Sequence, residues 1–217
     1  MKTTRTRSFT FAKSLQIAGI LFVAALGLLL AGCSRANSQT TTTNTTAYTI
    51  TPKGDDASGA PKVGQAAPDF RLPYATQEQI YLKPDEHLSL SGQRGKNVIL
   101  AFYPADWSGG CTKEVCTLRD TFAELSKLNA VVLGISGDYV FSHHEWAKFH
   151  KLQFPLLSDH DHKVARLYDS YNEGAGYNKR TVYLIDKEGV VRYVNLEFKA
   201  GDMNDYKRLR EELAKLK

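Results

Sequence analysis

One apolar run and the way it is interrupted constrain this chain more than any other feature. Val98-Ile99-Leu100-Ala101-Phe102 is β-branched and apolar, the pattern of a buried strand. Pro104 and the Gly109-Gly110 pair then break it, and a helical pattern starts at Cys111. Val115, Leu118, Phe122 and Leu125 follow at helical spacing on a stripe that Cys111 begins, so a helix is expected over 111–128 with Cys111 facing a sheet. Cys116 lies about 140° further round. A cysteine in a helix's first turn meets backbone N–H groups and the positive end of the dipole, and both favour thiolate over thiol. Ser108 places a hydroxyl beside it.

The N-terminus reads as a processing signal rather than as fold. Lys2, Arg5, Arg7 and Lys13 precede an unbroken apolar stretch, Ile17 to Ala31, that is short for a membrane span. It ends in Leu30-Ala31-Gly32-Cys33, which resembles a bacterial lipoprotein signal with cleavage before Cys33 and lipid attachment to its thiol. The expected organisation is a signal over 1–32, a flexible Ser/Thr-rich tether over 33–60 and one domain over 61–217. As a random coil the tether reaches roughly 30 Å. The four basic residues of 1–32 account for four of the five net positive charges, so the remainder offers no basic face for nucleic acid. A membrane-anchored extracytoplasmic protein is expected. Ser34 lacks the acidic character associated with inner-membrane retention, which, in a Gram-negative cell, favours the outer membrane. With Cys33 lipidated, Cys111 and Cys116 are the one pair available within the chain.

Strands are expected over 98–103, 131–136, 181–185 and 190–196. Helices are expected over 143–152, 163–168 and 205–216 besides the one that follows Gly110. Alternating strands and helices argue for an α/β layered sheet. Asp186-Lys187-Glu188-Gly189 joins two β-rich runs as a hairpin, so the sheet is expected to be mixed. Ser142, His143, His144 and Glu145 form a capping-box pattern at a helix start. His143 and His144, with His160 and His162, are expected to be solvated polar residues rather than metal ligands.

Several landmarks resemble the peroxiredoxins. Val63-Gly64-Gln65-Ala66-Ala67-Pro68-Asp69-Phe70 is similar to their entry segment, and Phe102-Tyr103-Pro104 through Cys116 to their active-site loop. That loop has the pattern Pro, three residues, Thr or Ser, two residues, Cys. Phe154-Pro155-Leu156-Leu157-Ser158-Asp159 and Arg180-Thr181-Val182-Tyr183-Leu184-Ile185-Asp186 match later landmarks in order. The second cysteine five positions after the first resembles the bacterioferritin-comigratory-protein, or peroxiredoxin Q, branch. The resemblance implies a thioredoxin-like fold, a central mixed β-sheet flanked by helices, and reduction of hydroperoxides by a cysteine thiolate. It implies Cys111 as the peroxidatic cysteine, Pro104 shielding it from water, and Ser108, the Gly110 backbone and Arg180 holding the peroxide. Cys116 is then the resolving cysteine, closing an intramolecular disulfide, and Glu114 orients Arg180. The resemblance implies neither cofactor nor metal, a thioredoxin-like or other extracytoplasmic thiol as reductant, and a monomer. The chain departs from the pattern at Ser108, where Thr is commoner, at Gly109, where Pro is usual, and over 73–90, which is longer and more polar.

The same residues have plainer readings. Ser108 suits a helix N-cap, Pro104 a strand end, Arg180 a surface charge, and Cys116 a spectator thiol. Two other functions compete. A thioredoxin-type oxidoreductase ordinarily needs two residues between its cysteines, and here there are four. A copper-handling module would use soft thiolates with a histidine.

Overall fold

A computed structural model of the protein describes residues 59–216. The expected signal, Cys33 and all but the last two residues of the tether lie outside that range. Along the chain come β1 (Arg71–Leu72), β2 (Tyr74–Ala75), β3 (Ile80–Tyr81), β4 (Leu88–Ser89), β5 (Asn97–Phe102), α1 (Gly109–Asp120) and α2 (Phe122–Lys127). They are followed by β6 (Ala130–Ser136), α3 (Val140–His150), β7 (Leu156–Ser158), α4 (Lys163–Leu167), β8 (Tyr171–Asn172), β9 (Tyr177–Asn178), β10 (Thr181–Ile185), β11 (Val191–Asn195) and α5 (Met203–Ala214).

Seven strands form the main sheet in the order β11-β10-β5-β6-β7-β2-β3. The central β5, β6 and β7 run parallel, and the flanking strands are antiparallel to their neighbours. The sheet is therefore mixed, with β10 and β11 as the expected hairpin; Gly189 supplies its turn at φ 80°. Strand alternation sends β5 into two cores at once. Ile99 and Ala101 join Val182 and Leu184 of β10 beneath Val115 and Leu118 of α1, Trp146 of α3 and Tyr206, Leu209 and Leu213 of α5. Val98, Leu100 and Phe102 face the other way, against Tyr168, Tyr183, and Val164 and Ala165 of α4. Burial on both faces explains why β5 reads as a continuous apolar run.

Three expectations are corrected. The long helix after Gly110 is two helices, because Thr121 sits at φ −97°, ψ 0° between α1 and α2. Thr117 and Thr121 donate their hydroxyls to the Lys113 and Thr117 carbonyls, at 2.8 and 2.9 Å, a back-bonding that bends helices. The helix also starts earlier than expected. Gly109 and Gly110 belong to its first turn and do not precede it, because Ser108 already caps it. Finally, α3 begins at Val140 with Tyr139 as N-cap, and no side chain caps it. Ser142 and His143 are therefore interior to α3, and His143 is fully buried instead of solvated. The polar stretch over 73–90 joins the sheet at its edge through β2 and β3, where the Tyr74 and Tyr81 rings stack at 4.2 Å.

Candidate active site

The site forms where β5 ends. Tyr103 continues the strand's line, its N–H donating to the Ile135 carbonyl at 3.1 Å, and Pro104 then turns the chain, half-buried. The buried Asp106 carboxylate then ties the loop down. Asp106 accepts from the Tyr103 hydroxyl at 2.9 Å and from the Ser142 hydroxyl at 2.7 Å, and meets His143 Nδ1 at 2.9 Å. Its own N–H donates to Asp138 Oδ2 at 2.9 Å, and Ser136 donates to the same oxygen at 2.8 Å. Burial, then Asp106, pushes the Tyr103 phenol well above its ordinary range, so it stays a donor. Buried polar groups joined this fully rigidify what they hold. The loop from Tyr103 to Asp106 is thus fixed to β6 and α3.

Trp107 follows at φ 61°, a left-handed conformation rare for a bulky residue. It is 53% exposed, and its indole donates to Ser142 Oγ at 3.2 Å. That turn delivers Ser108 to the N-cap of α1. Its hydroxyl accepts from the Cys111 N–H at 3.4 Å and donates to the Ala105 carbonyl at 3.2 Å. The plain reading of Ser108 as a cap therefore describes its contacts, and the cap places the Cys111 backbone directly.

Cys111 is fully buried, and its Sγ accepts from Arg180 Nη2 at 3.3 Å. Arg180 Nη1 pairs with Glu114 Oε2, one turn further along α1. One guanidinium thus bridges the sulfur and a carboxylate on the same helix face. Burial pushes the Glu114 carboxyl up to about 7, with Arg180 holding it back. Its Oε1 finds no hydrogen-bond partner among the described residues. Arg180 is partly buried, which opposes its charge, but Glu114 and the Cys111 sulfur more than offset this and hold it protonated. Gly110 leaves the guanidinium room: a Cβ at that position would lie 3.2 Å from Arg180 Nη2, so the side chain would have to shift by a few tenths of an ångström. Gly109 has open space around it.

Cys116 is half-buried on another face of α1, with Sγ 3.6 Å from His150 Nδ1 at the end of α3. Both cysteines are free thiols. In an intact helix a five-residue separation puts their Cα atoms roughly 8–9 Å apart.

The structure therefore brings Ser108, Gly110, Cys111, Glu114 and Arg180 together, places Pro104 in the loop that leads to them, and leaves Cys116 apart. The Asp106–His143 pair, Trp107 and His150 were missed from sequence. His143 was visible only as half of a capping box, and nothing near Asp106 marked it as buried. Among the described residues no cluster of three His, Cys, Asp or Glu side chains comes together to hold a metal ion.

Comparison with known proteins points the same way. Residues 63–194 match the AhpC/TSA family. The chain is 46% identical over 139 residues to a Coxiella burnetii protein that carries the name peroxiredoxin bcp, covering 61% of this chain and 87% of that one. It is 37% identical over 136 residues to peroxiredoxin Bcp of Bacillus subtilis, covering 59% and 80% of the two chains. Chloroplastic peroxiredoxin Q of rice is 41% identical over 135 residues, but this chain spans only 57% of its length. Among solved structures, peroxidoxin BcpB of Mycobacterium tuberculosis superposes with a TM-score of 0.62 at 30% identity, over 72% of this chain and 99% of that one.

Proposed function

The chain belongs to the AhpC/TSA family and is a thiol-dependent peroxidase, and on that premise we propose that Cys111 attacks the peroxide and Cys116 resolves the product. The observation that carries the assignment is the Arg180 guanidinium, 3.3 Å from a buried Cys111 sulfur at a helix N-terminus.

The attacking species is the thiolate. Its sulfur forms a bond to one peroxide oxygen as the O–O bond breaks, and the second oxygen leaves as hydroxide or alkoxide that takes up a proton. Cys111 becomes a sulfenic acid, oxidised by two electrons. Arg180 cannot lose its proton, so its positive charge serves the thiolate and then the charge growing on the departing oxygen. Glu114 fixes the guanidinium's orientation. Exposed Ser108, Gly109 and Gly110 put the approach for a small oxidant at the first turn of α1, and half-buried Pro104 takes the shielding role that the family resemblance implies.

Resolution requires movement. A disulfide needs Cα atoms within about 7 Å, closer than an intact helix allows at this spacing. The first turns of α1 must therefore unwind. Oxidation assists this, because a neutral sulfenic acid holds Arg180 less strongly than a thiolate. An external dithiol of thioredoxin type then reduces the disulfide and restores both thiols.

Residues 1–32 act, in the same reading, as a lipoprotein signal, with lipidated Cys33 anchoring the domain to a membrane on its extracytoplasmic side. The lipobox tetrapeptide supports this, and a diacylglycerol-bearing Cys33 peptide would establish it.

Intact-mass measurement after one equivalent of hydrogen peroxide tests the catalytic assignment. The expected product has lost two hydrogens, with Cys111 and Cys116 both closed to alkylation. Oxygen retained on the chain while Cys116 still alkylates would show that an outside thiol resolves Cys111.

A further inference from the structure

The Cys116 thiol does not face solvent alone. His150 Nδ1 lies 3.6 Å from its sulfur, from the last residue of a different helix. The ring is held in place by packing against Trp146 at 5.9 Å and Phe149 at 4.9 Å, with Trp107 of the active-site loop at 6.4 Å. Arg119 of α1 donates to the His150 carbonyl at 2.8 Å and is itself paired with Asp120. Those residues fix the imidazole beside Cys116 from both helices. Arg119, with Asp120 at its guanidinium, is the charged group facing it from α1. Exposed Lys148 and Lys151 flank it on its own segment. Burial, followed by the Arg119 charge, lowers the His150 pKa below its ordinary value of 6.5, so the ring is neutral at neutral pH. A neutral imidazole in contact with a thiol is a base.

We propose that His150 is the general base of the resolving step, taking the Cys116 proton so that this sulfur attacks as a thiolate. The inference rests on Cys116 being the resolving cysteine. His150 Nδ1 accepts the proton while α1 is still folded, where the contact exists. When the helix opens, the Cys116 sulfur forms its bond to the Cys111 sulfur as the S–O bond of the sulfenic acid breaks. The hydroxide that leaves takes up a proton and departs as water, and the imidazolium returns to neutral. One sulfur is oxidised and the other reduced by equal amounts, so no outside oxidant enters. Arg180 cannot play this part because it never loses its proton. The chain thus gives a permanent cation to the sulfur that must stay ionised and a titratable base to the one that must become so.

Rapid-quench mass spectrometry on the full chain tests the proposal, reading sulfenic acid formation and disulfide closure as separate steps. In His150→Gln the ratio of closure rate to oxidation rate at pH 7 is expected to fall about 10²-fold, the lower end for loss of a general base. The defect should shrink as the pH is raised, because solvent hydroxide then stands in for the missing base. Added imidazole should restore closure in His150→Ala. Wild-type closure in H150Q, or a defect equal at every pH and unmoved by imidazole, would overturn the assignment. If wild type itself retains sulfenic acid with a free Cys116, the resolving assignment fails and this one falls with it.

Discussion

Cys111 and Cys116 lie five residues apart in α1, yet their surroundings differ in every respect that governs sulfur chemistry. Cys111 is fully buried on the sheet side, within reach of a guanidinium that a buried carboxylate steadies. Cys116 is half-buried at the rim, within reach of an imidazole and a cluster of aromatic rings. A second contrast separates the chain on either side of Ser108. Before it, Asp106 is held by three side chains and by its own N–H. After it, α1 opens with two glycines, each costing about 1 kcal/mol in helix stability relative to alanine, and a long 3.4 Å cap bond. The frame is tied down by side-chain hydrogen bonds, and the segment proposed to unwind is built from residues that hold a helix poorly.

The comparison is broken most decisively by exchanging the sulfurs' fates. Cys111→Ser should reduce peroxide consumption to the uncatalysed rate, whereas Cys116→Ser should retain one full turnover of peroxide and then stall with sulfenic acid on Cys111. Equal losses in the two variants would erase the distinction. Next in size, Arg180→Met should lower kcat/KM for peroxide about 10²–10³-fold, the scale for removing a donor aimed at developing charge. Arg180→Lys keeps the charge and loses the fork, so it should recover only part of this.

Glu114 gives a pH signature. Its carboxyl holds its proton to about pH 7 in the folded protein and releases it near 4.5 when unfolded. Between those values the folded state binds more protons, so stability falls as pH rises and levels off above about 7. The total is at most about 3 kcal/mol. Urea unfolding of Glu114→Gln across pH 4.5–8 should lack that slope. The smallest expected effect is at Gly109, where a Cβ has room. Gly109→Ala should stabilise the reduced protein by about 0.5–1 kcal/mol and slow disulfide closure up to about fivefold.

Much of this was legible in the sequence because it rests on local pattern. The strands now called β5 and β10 announce themselves by apolar runs, and Cys111 by its place after a strand and a break. The inward stripe Cys111, Val115, Leu118 was correct because helical period fixes direction. What escaped notice depends on tertiary partners. Ser142 looks like a cap in sequence, but a buried Asp106 outbids the helix start for its hydroxyl. Asp106 and His143 are 37 residues apart, and only the crossover from β5 to α3 brings them together. His150 has no local signature either, since its partner sits on α1, with α2 and β6 in between. The break at Thr121 was readable in principle from two threonines four apart, but their back-bonding competes with a strong apolar stripe.

Hydrogen exchange across α1, compared between the reduced protein and the protein oxidised by one equivalent of peroxide, is the most direct measurement of a hinge-like helix joining two unlike sulfur sites. Amides of residues 110–118 should exchange faster after oxidation, while those of β5 and of Tyr103 and Asp106 keep their protection. Identical protection through α1 in both states would contradict the account, for the two sulfurs would then have met without the helix giving way.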